Sequence, residues 1–259
     1  MPGERDPIRA TRILLSEVCA LMSAHADDAV LIGGWVPDVR FPNARPAHVG
    51  SIDVDFALRL ERTAHNAVVE LLLRNGFRPG AHSYQFLKDI ALGHGRTIAA
   101  RLDLLTSVRH HAKTFGGEPS YAPHPIRGAD VAFQDNSMET IGADGTVQIR
   151  VAGIASFIVM KSIALAERAK PKDAYDIHFC LENYPDGPVL LAEQFAPLLE
   201  QEDVREALRE LARHFHDEEA DGPRMVADVE EVMGEARAIR KLAAATRVRE
   251  FLDLMGIAP

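Results

Sequence analysis

Cysteine is nearly missing from this sequence: Cys19 and Cys180 are the only two among 259 residues. They stand far apart and lack metal-ligand spacing. That excludes a disulfide scaffold or a thiolate metal site and fits a reducing compartment. Long apolar runs are missing too, and no stretch approaches the roughly 18 residues of a membrane span. The opening residues, MPGERDPIRATR, have mixed charge and no apolar core, so they do not read as a signal peptide. An excess of positive charge is also lacking. The net charge is −9, whereas a general nucleic-acid binder is basic overall, so nonspecific DNA binding is not expected. The imbalance is local: residues 1–150 hold 16 Lys and Arg against 17 Asp and Glu, and residues 151–259 hold 13 against 21. Arg96, Arg101, Arg109, Lys113 and Arg127 leave room for a basic patch in the near-neutral half. Repeats and low-complexity tracts are absent, and the expected location is the cytoplasm.

What is present is an ordinary globular composition, 47% hydrophobic and 26% charged, long enough for two units. Helical apolar spacing covers 8–24, and the short run AVLI (29–32) ends at Gly33-Gly34. WVPDVR follows as a short helix with Pro37 in its first turn. A strand is predicted at 51–58, and a helix at 64–75, capped by Thr63 and ended by Gly76. Two strands flank the turn GHG at 93–95 as a hairpin. Residues 107–150 are rich in Gly, Pro and His, with a short strand at 147–151. From residue 152 onward the pattern is helical: 152–168, 172–183, about 188–200, 203–216, and one or two helices across 223–255. The expectation is an α+β chain: an N-terminal mixed sheet with flanking helices over 1–150, then a helical domain over 151–259.

The chemistry concentrates in HVGSIDVDFAL, residues 48–58. Alternation puts Ser51, Asp53 and Asp55 on one strand face and Ile52, Val54, Phe56 and Leu58 on the other. Like charges on one face destabilise a sheet, unless a divalent cation lies between them. Two residues along a strand span roughly 6–7 Å, which suits carboxylates converging on paired ions. Asp103, between Leu102 and Leu104, offers a third carboxylate on a strand that can lie beside 51–58. Taken alone, D-x-D is short and common, and a solvated strand face is the preferred explanation. The glycine pair after an apolar strand adds context: Gly33 and Gly34 permit close approach of backbone amides to a phosphate. Ser51 adds a hydroxyl on the aspartate face.

The helical half carries its own signal. Across AGIASFIVMKSIALA (152–166) Lys161 is the only charged residue. A buried ammonium must snorkel, pair or meet an anionic ligand. Arg168 lies seven residues on, on nearly the same face, followed by Lys170 and Lys172. Asp173 sits in the first turn of a helix opened by Pro171, where an acid suits the dipole, and Asp176 lies one turn further. HFHDEE (214–219) reads as a solvated acidic patch, His110-His111 as loop surface, and Trp35 as turn support or core filling.

Gly33-Gly34, GSIDVDFAL with Gly50, Ser51, Asp53 and Asp55, Asp103 in RLDLL, and MKSIALAERAKPKDAYDI (160–177) together resemble the AbiEii-type abortive-infection nucleotidyltransferases of the DNA-polymerase-β-like superfamily, many of which are toxins. The resemblance implies a Mg2+-dependent transfer of a nucleoside monophosphate from an NTP. Asp53, Asp55 and Asp103 would hold two Mg2+ ions, with Mn2+ as a substitute. Gly33, Gly34, Ser51, Lys161 and Arg168 would bind the nucleotide. Asp173 and Asp176 would share a cleft that the helical domain completes. It further implies a tRNA 3′ end as acceptor and a cognate antitoxin as partner. A small-molecule or protein acceptor, and a non-catalytic nucleotide-binding module, remain open alternatives. Two departures from the family pattern are the insertion-like PNARPAH and the presence of His48-Val49 where the family often has arginine.

Overall fold

The run Ala29-Val30-Leu31-Ile32 forms β1 (Ala29–Ile32) with all four residues buried, as expected of an interior strand covered on both faces. The structure, a computed structural model, describes residues 5–116, 120–141, 146–185 and 187–257. The start of the N-terminal stretch and parts of the 107–150 segment therefore lie outside the described residues. Two units are formed, one of Met1–Arg40 with Val49–Gly153 and the other of Phe41–His48 with Ile154–Pro259.

The first unit carries the sheet. In chain order it contains α1 (Arg5–Met22), β1, α2 (Val36–Arg40), β2 (Asp53–Leu58), α3 (Arg62–Arg74), β3 (Arg78–Pro79), β4 (Gln85–Gly93) and β5 (Arg96–Ser107). There follow α4 (Val108–Thr114), β6 (His124–Ile126), α5 (Ala129–Ala132), β7 (Asn136–Ile141) and β8 (Val147–Ala152). The spatial order is β3-β4-β5-β2-β1-β8-β7, with β6 added against β5. β2 is parallel to β5 and β1 to β8, whereas β1–β2, β4–β5 and β7–β8 are antiparallel. This is the predicted α+β arrangement. Alternation in β2 sends Val54 and Phe56 into the core, both fully buried. α1 packs over β4, β5 and β8 and buries Leu14, Val18 and Met22.

Several local expectations are corrected. β2 begins at Asp53, so Ser51 and Ile52 precede the strand, and Ile52 is 62% exposed rather than core-facing. Gly50, with φ of +81°, interrupts the extended run just before them. Thr63 lies inside the first turn of α3, and Glu61 occupies the N-cap position. His110 and His111 stand on α4 rather than on a loop. The 107–150 segment holds α4, β6, α5 and β7 besides the expected strand. These elements run from three to seven residues, too short for periodicity to show.

The second unit is helical: α6 (Ile154–Arg168), α7 (Pro171–Asn183), α8 (Gly187–Phe195), a 3-10 turn at Ala196–Leu198, α9 (Glu202–His214), α10 (Asp221–Val229) and α11 (Gly234–Leu254). α6 is apolar around most of its circumference, the pattern of a buried helix, and packs against α7 and α9. α7 starts where Pro171 fits the first turn and packs against α10 and α11. The last region resolves into two helices because Glu231 and Gly234 take positive φ between them.

Burial of His178 on α7 pushes its imidazole down to about 4, against the pull of Glu182 and with help from Arg240. An unfolded histidine takes its proton near pH 6.5, so protonation favours the unfolded chain between these two values. Stability from this group is complete above pH 6.5 and falls as pH drops toward 4, by about 3 kcal/mol in all. The expected outcome is that the wild-type melting temperature declines over that window more than that of His178→Gln. Parallel declines would contradict it.

Candidate active site

Register brings the carboxylates together. In the parallel β2–β5 ladder Asp55 stands opposite Asp103, and Asp53 opposite Arg101. All four side chains share one face of the sheet, because residues two apart on a strand point the same way. One carboxylate oxygen from each of Asp53, Asp55 and Asp103 lies within 4.8 Å of the other two. It is the one such group able to hold a metal ion found among the described residues.

Three carboxylates this close repel one another, and Arg101 offsets that repulsion. Its Nη2 hydrogen-bonds Asp53 Oδ2, and its Nε lies 3.3 Å from Asp103 Oδ1. The second contact lacks hydrogen-bond alignment, since both atoms are buried and without a hydrogen-bond partner. Burial pushes Asp103 up to about 6, with Arg101 opposing the rise and Asp53 adding to it. The site fits a hard divalent cation: the donors are all carboxylate oxygens, and one buried lone-pair donor, Asp103 Oδ1, is unsatisfied. Such a cation would keep Asp103 ionised.

The glycine pair adjoins this cluster. β1 runs antiparallel to β2 with Ile32 opposite Asp55, which sets Gly33 beside that carboxylate. Gly33 has φ of +72°, and a Cβ there would collide with the Asp55 side chain, so both backbone and space require glycine. Gly34 is buried in the following 3-10 turn, Gly33–Trp35. Trp35 is fully buried under the Arg12 guanidinium, 4.8 Å from the ring centre, which settles it as core. Ser51 Oγ donates to Asp53 Oδ1 at 2.7 Å, so its hydroxyl serves the carboxylate.

The second unit assembles a separate buried charge cluster. Lys161 Nζ lies 2.8 Å from Asp173 Oδ1 and 2.7 Å from Asp176 Oδ2. Arg168 adds two hydrogen bonds to Asp173, at 2.8 and 2.9 Å, and Lys172 contacts Asp176 at 2.8 Å. His48 Nε2 donates to Asp176 Oδ1 at 2.9 Å. Burial opposes ionisation of Asp176, but Lys161, Lys172 and His48 outweigh it and hold the carboxyl below its usual range. Lys161 is likewise held charged, because Asp176 and Asp173 outweigh its burial. The lone lysine of α6 therefore pairs rather than snorkels. Removing one partner of such a buried pair costs about 3–5 kcal/mol.

The comparisons follow this geometry. The family described as "Nucleotidyl transferase AbiEii toxin, Type IV TA system" matches residues 19–253. The chain belongs to this AbiEii family. The match contains the three clustered aspartates, the glycine pair and the lysine–aspartate helices. Among solved structures, an antigenic nucleotidyltransferase-like protein from Paracoccidioides brasiliensis is similar with a TM-score of 0.52 over 83% of this chain and 92% of that one. At 13% identity that likeness concerns the fold. Comparison with curated proteins gave no match. No helix among the described residues is long and apolar enough to cross a membrane.

The chain keeps two residues in these clusters that sequence reasoning did not place there. Arg101, counted in a basic patch, faces the aspartates; its position two residues before Asp103 on one strand was the available signal. Arg96, from the same set, pairs with Asp6, so the patch is partly neutralised. His48 meets Asp176 across 128 positions, which no local pattern reveals. Loss of the Arg101 guanidinium leaves the carboxylates without their internal cation. Arg101→Gln is expected to lower the melting temperature in chelator by about 2–6 °C, and millimolar Mg2+ to raise it more than in wild type. Equal Mg2+ responses would show that Arg101 does not offset the carboxylate charge.

Proposed function

We propose that the protein moves a nucleoside monophosphate from an NTP to an acceptor hydroxyl, with a tRNA 3′ end as acceptor and a cognate antitoxin as the partner that restrains it. The observation that carries the reading is the convergence of Asp53, Asp55 and Asp103 on one sheet face beside the Gly33 turn. When bound by these carboxylates, Mg2+, in one or two ions, would neutralise phosphate charge and lower the pKa of the attacking hydroxyl. The acceptor oxygen attacks the α-phosphorus in line, the bond to the leaving pyrophosphate breaks, and the Asp103 carboxylate is the residue proposed to take the hydroxyl proton. The Gly34 backbone approaches the phosphates, and Ser51 orients Asp53 through its hydroxyl. Lys161 and Arg168, steadied by Asp173 and Asp176, are the cations proposed to offset phosphate charge.

The test incubates purified protein, Mg2+ and each α-labelled NTP with total RNA, total protein or a small-molecule extract. Label is expected in the RNA fraction, with at least about a 100-fold loss in Asp53→Asn. Label confined to protein or small molecules would overturn the RNA acceptor. No label with any acceptor would overturn the transfer itself.

A further inference from the structure

Beyond the aspartates, β5 changes partner. Gln85 of β4 stands opposite Asp103, and two residues further along Leu105 stands opposite His124 of β6. Leu105 also pairs with Ala57 of β2, so β6 must occupy the edge that β4 has left. At that handover three aromatic rings lie in series. His82 stacks on Tyr84 with ring centres 5.4 Å apart and planes 3° apart, and Tyr84 meets His124 at 4.7 Å and 30°. His82 and His124 are exposed and Tyr84 is half-buried. Exposed rings in ordered array are unusual for a β edge, where charged residues commonly protect against pairing.

The array is tethered and lies close to the metal-ligating end. Leu104 N donates to the Tyr84 carbonyl at 2.9 Å. His65 Nε2 donates to the Tyr121 carbonyl at 2.8 Å, and Ser83 Oγ to the Ala122 carbonyl at 3.4 Å, fixing the approach to β6. Asp103 and Arg101 act electrostatically on the Tyr84 hydroxyl, and His82 acts on Asp103. His124 has its imidazole pushed down by burial and by His111 and His82, which favours the neutral ring. The rings cover one another in part, and the exposed faces of His82 and His124 at the ends of the series suit planar heteroaromatic ligands, since stacking needs only a π-face.

We propose that His82, Tyr84 and His124 form a stacking platform for a nucleobase beside the metal-ligating carboxylates. The proposal rests on the nucleotidyl-transfer reading, which supplies two sources of such a base: the NTP and the end of an acceptor strand. Stacking of one base on an aromatic side chain changes affinity by roughly 5- to 150-fold.

The test measures binding of a fluorescent single-stranded hexaribonucleotide and, separately, of Mg2+ with each NTP. Wild type is compared with Tyr84→Leu, Tyr84→Phe and His124→Phe. The platform predicts that Tyr84→Leu weakens one ligand about tenfold while both phenylalanine variants stay within about twofold of wild type. Loss confined to the oligonucleotide assigns the platform to the acceptor, and loss confined to the NTP assigns it to the donor. Unchanged binding of both ligands in a folded Tyr84→Leu would overturn the platform, as would equal losses in Tyr84→Leu and Tyr84→Phe. Label transfer by wild type alongside either of those results would leave the transferase reading standing. Failed transfer with an intact Tyr84 effect would sink that reading and spare the platform.

Discussion

Mutual repulsion among Asp53, Asp55 and Asp103 is the constraint around which the first unit is arranged. Pairing β2 with β5 in parallel sets Asp55 directly against Asp103, an arrangement unfavourable for any ordinary sheet. The opposite face of the same strands is a dry core of Val54, Phe56, Leu102 and Leu104, all fully buried. The apolar faces therefore fix the register, and the register fixes the carboxylates. From β5 the Arg101 guanidinium reaches both Asp53 and Asp103. Gly33 gives Asp55 room that any larger residue would fill. The resulting face has a cation of its own and still leaves one buried carboxylate oxygen unsatisfied, Asp103 Oδ1.

The helical unit handles buried charge differently. There two carboxylates share one lysine, and each has further cations beside it. Lys161 lies between Asp173 and Asp176, and His48 and Lys172 complete the shell around Asp176. His48 is itself wedged against Tyr175 and Phe179, at ring distances of 5.4 and 4.9 Å. A rigid aromatic wall on one side and a carboxylate on the other leave its ring little freedom. The insertion-like stretch 41–48 thus belongs to the charge cluster of the helical unit, although in sequence it precedes the aspartate strand.

Where a pattern repeats within one element, the sequence was readable. β1, the hairpin strands and the long helices follow from runs of apolar residues with a clear period, and the D-x-D face follows from strand alternation. Reading stopped where a single residue breaks the period. Gly50 turns the chain just before β2, so Ser51 and Ile52 leave the alternation that includes Asp53. The short elements between 108 and 141 owe their existence to partners on β5 and β8, and pairing of that kind has no local signature. The candidate site divides in the same way. Asp53, Asp55 and Asp103 were legible because strand faces are predictable. The pairing of Lys161 with Asp173 and Asp176 was partly legible, since a lone ammonium in an apolar helix demands a partner. His48 was not, because its role depends on a contact between distant segments.

The central claim is that the three aspartates form one divalent-cation site, and Mn2+ reads that site without needing a substrate. Electron paramagnetic resonance of Mn2+ titrated into the nucleotide-free protein measures bound against free ion directly. Wild type is expected to bind, and Asp55→Asn and Asp103→Asn are each expected to weaken binding by at least about tenfold with the fold intact. Mn2+ binding of equal strength in wild type and both variants would contradict the account.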